Sequence, residues 1–272
     1  MIDSVIFDMD GLMFDTERVW ATLWEPALAT LGLSYKEGLD VAVRGTAGDS
    51  MRAVLRRFYG ENCDTDAIIE ALHAQAEKAF QAPPPKKPGL DEILTWLDAQ
   101  HIPMAVASSS RMASIRHHLD GWGLTHYFKV IVSGEQFSAS KPNPEIFLRA
   151  AEALGTAPSR TLVLEDSYNG VRAGANGRFI TVMVPDMAPA NDEMRRLYTA
   201  ECRELYEVLD VLQMLSIIFY FFGTALSYRG TVDSVSIVVV VSIALCWLVA
   251  AVTAISGIKY LWDNRSFINT AK

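Results

Sequence analysis

The chain has 272 residues, half of them hydrophobic and 21% charged, which is enough apolar content for a packed core and excludes a disordered chain. In residues 206–272 four basic groups (Arg229, Lys259, Arg265, Lys272) balance four acidic ones (Glu207, Asp210, Asp233, Asp263), so the net charge of -8 belongs to residues 1–205. An acidic head without a Lys/Arg stripe excludes nucleic acid as a partner, and Cys63, Cys202 and Cys246 lack the spacing of a zinc site.

No basic-then-apolar leader precedes the first strand pattern, so residues 1–205 are expected in a reducing cytoplasm. The first apolar run, Ser4-Val5-Ile6-Phe7, ends abruptly in Asp8, and similar runs recur at 103–107, 128–132, 161–164 and 179–184. Short, wholly apolar runs suit strands buried on both faces of a parallel sheet. Helical stripes lie between them: Leu90, Ile93, Leu94, Leu97; Met112, Ile115, Leu119; Ile146, Phe147, Ala150, Leu154. The alternation predicts an α/β fold with a doubly wound, Rossmann-like parallel sheet formed by residues 1–15 and 89–208, with ligands at the carboxyl ends of its strands.

Residues 16–88 interrupt that pattern. Trp20, Leu23, Trp24, Ala27, Leu28 and Leu31 share one helical face, and two further stripes run over 51–58 and 68–80. They predict an all-helical insert closed by Pro83-Pro84-Pro85 and the Pro88-Gly89 turn. Beyond residue 208 the chain changes character, with no charged residue over 211–227 or over 235–258. At ~1.5 Å per residue the second stretch reaches ~36 Å, enough for a ~30 Å hydrocarbon core, and the first sits at the short limit. The expectation is a membrane hairpin over 209–272 with the head in the cytoplasm, in accord with Lys259, Arg265 and Lys272 beyond the second span.

Four segments at strand ends carry chemistry. Asp8-Met9-Asp10-Gly11 places two carboxylates on one side of a strand end, where one can attack phosphorus and the other handle protons. Ser108-Ser109-Ser110 offers hydroxyls and backbone amides before a helix, which suits a phosphate oxygen or a helix cap. Lys141-Pro142-Asn143-Pro144 holds a lysine in an extended approach to a helix. Glu165-Asp166-Ser167 ends a buried strand in two acids, which with Asp8 make an oxygen-rich site suited to Mg²⁺.

In this order the four segments closely resemble the motifs of the haloacid dehalogenase-like hydrolase superfamily, with Asp15-Thr16 completing the first. The helical insert after that motif resembles the cap of phosphoglycolate phosphatase and β-phosphoglucomutase. The resemblance implies a Mg²⁺-dependent phosphatase acting on a small phosphorylated metabolite, with Asp8 as nucleophile and Asp10 as general acid and base. It implies phosphate binding by Ser108, Ser109 and Lys141. It further implies metal binding by Asp8, Asp10 (through its backbone carbonyl), Asp166 and Glu165, the last directly or from behind. The alternative it carries is a phosphomutase, but Gly48 stands where the mutase has a phosphate-gripping arginine, with Arg44 nearby. Arg18, Trp20, Arg44 and the neighbourhood of Gly48 are the expected selectors of substrate.

The tail has a second resemblance. Val211-Leu212-Gln213-Met214 and Ala254-Ile255-Ser256-Gly257-Ile258-Lys259-Tyr260 are similar to the last two membrane helices of phosphatidylglycerophosphate synthases, of the CDP-alcohol phosphatidyltransferase family. It implies association with a lipid-synthesis enzyme or a fusion remnant. The transferase signature itself is absent, so no transferase activity is expected.

Overall fold

The computed structural model describes residues 2–227 apart from 45 and 47, with side chains as far as 218. Its first compact unit is Met1–Leu209. Strand β1 (Ser4–Phe7) is wholly buried and lies at the centre of a parallel sheet. It leads into four helices, α1 (Thr16–Thr30), α2 (Leu39–Val43), α3 (Gly48–Tyr59) and α4 (Thr65–Ala79), before α5 (Leu90–Ala99) resumes the alternation. There follow β2 (Met104–Ser108), α6 (Met112–Gly121), β3 (Phe128–Ser133), α7 (Glu145–Leu154), β4 (Thr161–Glu165), α8 (Tyr168–Asn176), β5 (Ile180–Met183), α9 (Met194–Leu197), β6 (Ala200–Glu201) and α10 (Leu205–Ser227).

The strand order is β3-β2-β1-β4-β5-β6. The chain leaves β1 toward one edge through β2 and β3, then returns to the other side of β1 with β4. That reversal opens a crevice at the carboxyl ends of β1 and β4, the place where doubly wound sheets bind ligands. Phe7 stands in register with Val106 on one side and Leu164 on the other, so Asp8 emerges beside the end of β4. Beneath it, Ile6, Ala107 and Val163 pack against Phe147 and Ala150 of α7.

The insert has a core of its own, in which Trp24, Leu28, Leu39, Leu55, Ile68 and Leu72 come together. Burying each of these contributes roughly 1.5–3 kcal/mol before entropy is counted. The segments that enter and leave this cap run side by side: the Asp15 N–H donates to Pro85 O at 2.8 Å, and the Lys87 N–H to Met13 O at 2.9 Å. The Lys87 ammonium bridges Asp15 (3.4 Å) and Asp186 (2.5 Å), and the Arg18 guanidinium bridges the same two acids at 2.7 and 3.3 Å. Arg18, expected to select substrate, pairs with this clasp at the base of the cap while its side chain stays more than half exposed.

The apolar stretch over 211–227 is helical, as the C-terminal part of α10. The expected membrane hairpin is not found among the described residues: none of their helices is long and apolar enough to cross a membrane. Seventeen residues make ~26 Å of helix, short of a ~30 Å hydrocarbon core. The second expected span, 235–258, and the synthase-like segment ending at Tyr260 lie outside the described residues.

Candidate active site

Asp8 continues directly from β1, and its N–H donates to Leu164 O at 3.0 Å, which ties it to β4. The turn that follows depends on Gly11, with φ +84°; a Cβ there would sit 2.2 Å from Asp166 Oδ2. Glycine at this position thus serves both the left-handed backbone and the close approach of Asp166. From the connection between β3 and α7, Lys141 reaches in with its side chain only 6% exposed. Its Nζ donates to Asp8 Oδ1 (2.5 Å), Glu165 Oε1 (2.7 Å) and Ala107 O (3.3 Å), which engages all three ammonium protons.

Glu165 is fully buried and doubly engaged. Its Oε1 meets Lys141, while its Oε2 accepts from both the N–H and the hydroxyl of Ser167 at 2.9 Å. It packs so closely on α8 that a Cβ at Gly170 would fall 1.8 Å from its carboxyl group. This explains why α8 shows no helical signature in sequence: Gly170 and Gly174 lower helix propensity, yet the first admits Glu165 and the second admits Thr181.

Carboxylate oxygens of Asp8, Glu165 and Asp166 all lie within 4.8 Å of one another. When ionised, three carboxylates face one ammonium and leave two negative charges in a buried place. Burial pushes the Asp8 carboxyl up to about 8; Lys141 opposes this, and the charges of Glu165 and Asp10 add to it. Burial likewise holds Asp166 well above the usual carboxylate range, reinforced by Glu165, Asp8 and Glu17. Lys141 is raised despite its burial, because Asp8 and Glu165 favour its charged form. A cluster that strains to keep its protons, with oxygen donors only, fits a hard divalent cation.

This electrostatic arrangement has a measurable consequence. Asp8 in the folded state titrates near 8 against an ordinary 3.8, so between those values the folded protein holds a proton that the unfolded chain has lost. The resulting stability is fully present below about pH 4 and disappears as pH rises through 8. Without divalent cation, Tm is expected to fall by roughly 5 °C or more from pH 5 to pH 8. Added Mg²⁺ should flatten the slope, and Asp8→Asn should reduce it. Thermal melts with identical slopes with and without Mg²⁺ would contradict the assignment.

Asp10 stands apart from the three-acid cluster. Its Oδ2 accepts from Ser108 Oγ (3.0 Å) and Ser110 Oγ (2.7 Å), and among the described residues no donor meets Oδ1. The carboxyl group is thereby oriented through one oxygen, with the other left without a donor among the described residues. Ser108 is fully buried, its hydroxyl set between Asp10 and the Ser110 N–H. Ser109 is exposed at the head of the loop, its backbone against Gly134. The structure therefore brings Asp8, Asp10, Ser108, Lys141, Glu165 and Asp166 to one sheet edge and adds Ser110 and Ser167, whose roles depend on contacts no spacing reveals.

Of the expected substrate selectors, Trp20 and Arg44 line a cavity in the cap. Gly48 is exposed at the start of α3, with nothing near its Cα for a side chain to meet. Glu17, not singled out by its sequence, lines the same cavity; burial raises its pKa, with Asp10 adding to the effect and Arg44 opposing it.

Comparison with known proteins places this geometry. A phosphorylated carbohydrates phosphatase of Thermotoga maritima is 29% identical over 172 residues, covering 63% of this chain and 80% of the relative. Hexitol phosphatase B of Escherichia coli K12 is 28% identical over 193 residues, covering 70% and 86%. The crystal structure of a hydrolase from Deinococcus radiodurans R1, with bound phosphate and sodium, superposes with a TM-score of 0.65 at 25% identity, covering 78% of this chain and 95% of that one. The family model described as haloacid dehalogenase-like hydrolase matches residues 5–184, a span that opens in β1 and closes just beyond β5. With that match extending over most of its length, the chain belongs to the haloacid dehalogenase-like hydrolase family.

Proposed function

We propose that this enzyme is a Mg²⁺-dependent phosphatase that hydrolyses the phosphate monoester of a sugar or polyol through an aspartyl-phosphate on Asp8. The observation that carries the reading is the Lys141 ammonium bound to Asp8 and Glu165 within a three-acid cluster at the β1–β4 crevice. Relatives named for phosphorylated carbohydrates and hexitols support the substrate class.

In this mechanism an Asp8 oxygen attacks phosphorus and the bond to the ester oxygen breaks, while Asp10 delivers a proton to the departing alcohol. Asp10 then takes a proton from the water that attacks the phosphoaspartate, which releases phosphate and restores the Asp8 carboxylate. Lys141 draws Asp8 into line and offsets charge on the transferring group, as phosphoryl transfer requires. Asp8, Asp166 and the Asp10 carbonyl, with Glu165 behind, would hold a Mg²⁺ ion, which would supply the remaining charge neutralisation.

The purified protein is expected to release inorganic phosphate from sorbitol 6-phosphate or fructose 1-phosphate with Mg²⁺ and to stop on chelation. Turnover indifferent to chelation would refute the metal requirement. Isomerisation of β-glucose 1-phosphate with a bisphosphate primer, without phosphate release, would replace the phosphatase by a mutase. Attachment of a cytoplasmic head to a membrane through 235–258 forms part of the same proposal. It is supported by the uncharged run there and by exposed Met214, Leu215, Ile217 and Ile218 on α10. Flotation with liposomes is expected for the full chain and lost on truncation after residue 227; equal behaviour of the two would remove the tether.

A further inference from the structure

Asp10, the general acid and base of the phosphatase reading, takes two hydroxyl donors on one oxygen, Ser108 at 3.0 Å and Ser110 at 2.7 Å. The two donors are placed by different means. Ser108 is the last residue of β2, fully buried and paired in register with β3, so the sheet itself sets its position. Ser110 lies past the strand end, in the short turn before α6. The shorter of the two bonds thus comes from a residue that no strand or helix holds.

The turn is gripped instead from the end of β3. Ser133, the last residue of that strand, is fully buried and stands opposite Ser108. Its hydroxyl donates to Ser110 O at 2.7 Å and accepts from the Glu135 N–H at 3.2 Å. Gly134 lies so close to the turn that a Cβ there would fall 3.0 Å from both Cα and O of Ser109. Glu135 closes the grip, its Oε2 accepting from the Met112 N–H at 2.8 Å. Met112 opens α6, and its N–H is one of the four donors that a helix leaves unpaired at its start. Arg111, at the N-cap, makes no side-chain cap, so Glu135 supplies from the neighbouring connection what the helix lacks locally.

Three successive residues, 133–135, therefore fix the backbone around the Ser110 hydroxyl: its own carbonyl, Ser109 before it and Met112 beyond. Placement of this kind matters to a proton donor, since a displacement of about 1 Å can cost on the order of 100-fold in rate. We infer that Ser133 and Glu135 are positioning residues for proton transfer at Asp10, acting through Ser110. This rests on the phosphatase reading above and makes the reaction depend on two residues outside the four strand-end segments.

The test compares kcat/KM for phenyl phosphate and p-nitrophenyl phosphate in the presence of Mg²⁺. The two esters are similar in shape, but p-nitrophenolate leaves readily without a proton and phenolate does not, so phenyl phosphate draws more heavily on the acid. Glu135→Ala and Ser133→Ala are each expected to lose about tenfold on phenyl phosphate and less than about threefold on p-nitrophenyl phosphate. Glu135→Gln keeps an oxygen for the Met112 N–H and should stay within about twofold of wild type on both. Ser110→Ala should show the same selective loss. Adding Glu135→Ala to it should cost less than about twofold more, because the two act along one path.

Equal losses on both esters would mark a merely structural role and overturn the inference, as would no loss, or additive losses in the double variant. Glu135 is exposed, so its variants keep the test decisive if Ser133→Ala does not fold. A wild type that hydrolyses neither ester defeats the phosphatase reading and the inference with it. One that hydrolyses both, with the ratio unaltered in the variants, defeats the inference alone.

Discussion

Asp8→Asn is expected to lower kcat on the order of 10,000-fold or more while leaving the protein folded, the pattern of a nucleophile that acts as one unit with its partners. The substitution keeps the size of the side chain, and its amide oxygen can still accept from Lys141. It also removes one of three carboxylates that crowd a single ammonium. The melting temperature should therefore stay level or rise even as turnover vanishes. A folded, purified variant within tenfold of wild-type activity would remove Asp8 from the reaction.

Lys141→Met should damage both function and fold. The lysine is buried, and the carboxylates of Asp8 and Glu165 that it holds are buried with it. Breaking a buried ion pair by removing one partner costs about 3–5 kcal/mol, because the opposite charge is left behind uncompensated. Loss of the ammonium pushes the remaining carboxyl groups further toward their neutral forms. The destabilisation should thus be largest at high pH and shrink toward pH 5, as protons take over part of the role of the lysine. Thermal melts of wild type and variant across this range measure the difference directly; a gap that does not change with pH would contradict it.

The central strands were legible because each is a short apolar run that stops at a chemically distinctive residue: Phe7 before Asp8, Leu164 before Glu165. Burial on both faces of a parallel sheet produces that signature directly. The elements that escaped notice have physical reasons for doing so. Helix α8 is punctuated by Gly170 and Gly174, which tertiary contact with Glu165 and Thr181 demands at the expense of propensity. Strand β6 has two residues and α2 five, too few for a period to appear.

The same division holds at the site. Asp8, Asp10, Lys141, Glu165 and Asp166 follow from motif order, but the pairing of Asp10 with Ser108 and Ser110 is made across 98 and 100 residues of chain. Nor does position along the chain distinguish Arg18, drawn to Asp15 and Asp186, from Arg44, held between Glu17 and Asp40. Only the way the cap folds back on its own entry segment decides which arginine faces the cavity.

The claim on which the account turns is a phosphoryl group carried by Asp8. The direct measurement is acid quench of the enzyme with Mg²⁺ and a turning-over phosphate monoester, followed by peptide mapping. The account predicts a hydroxylamine-sensitive phosphoryl group on the peptide that contains Asp8, absent from Asp8→Asn. A phosphoryl group on Ser108 or Ser110, or one that survives in Asp8→Asn, would contradict it.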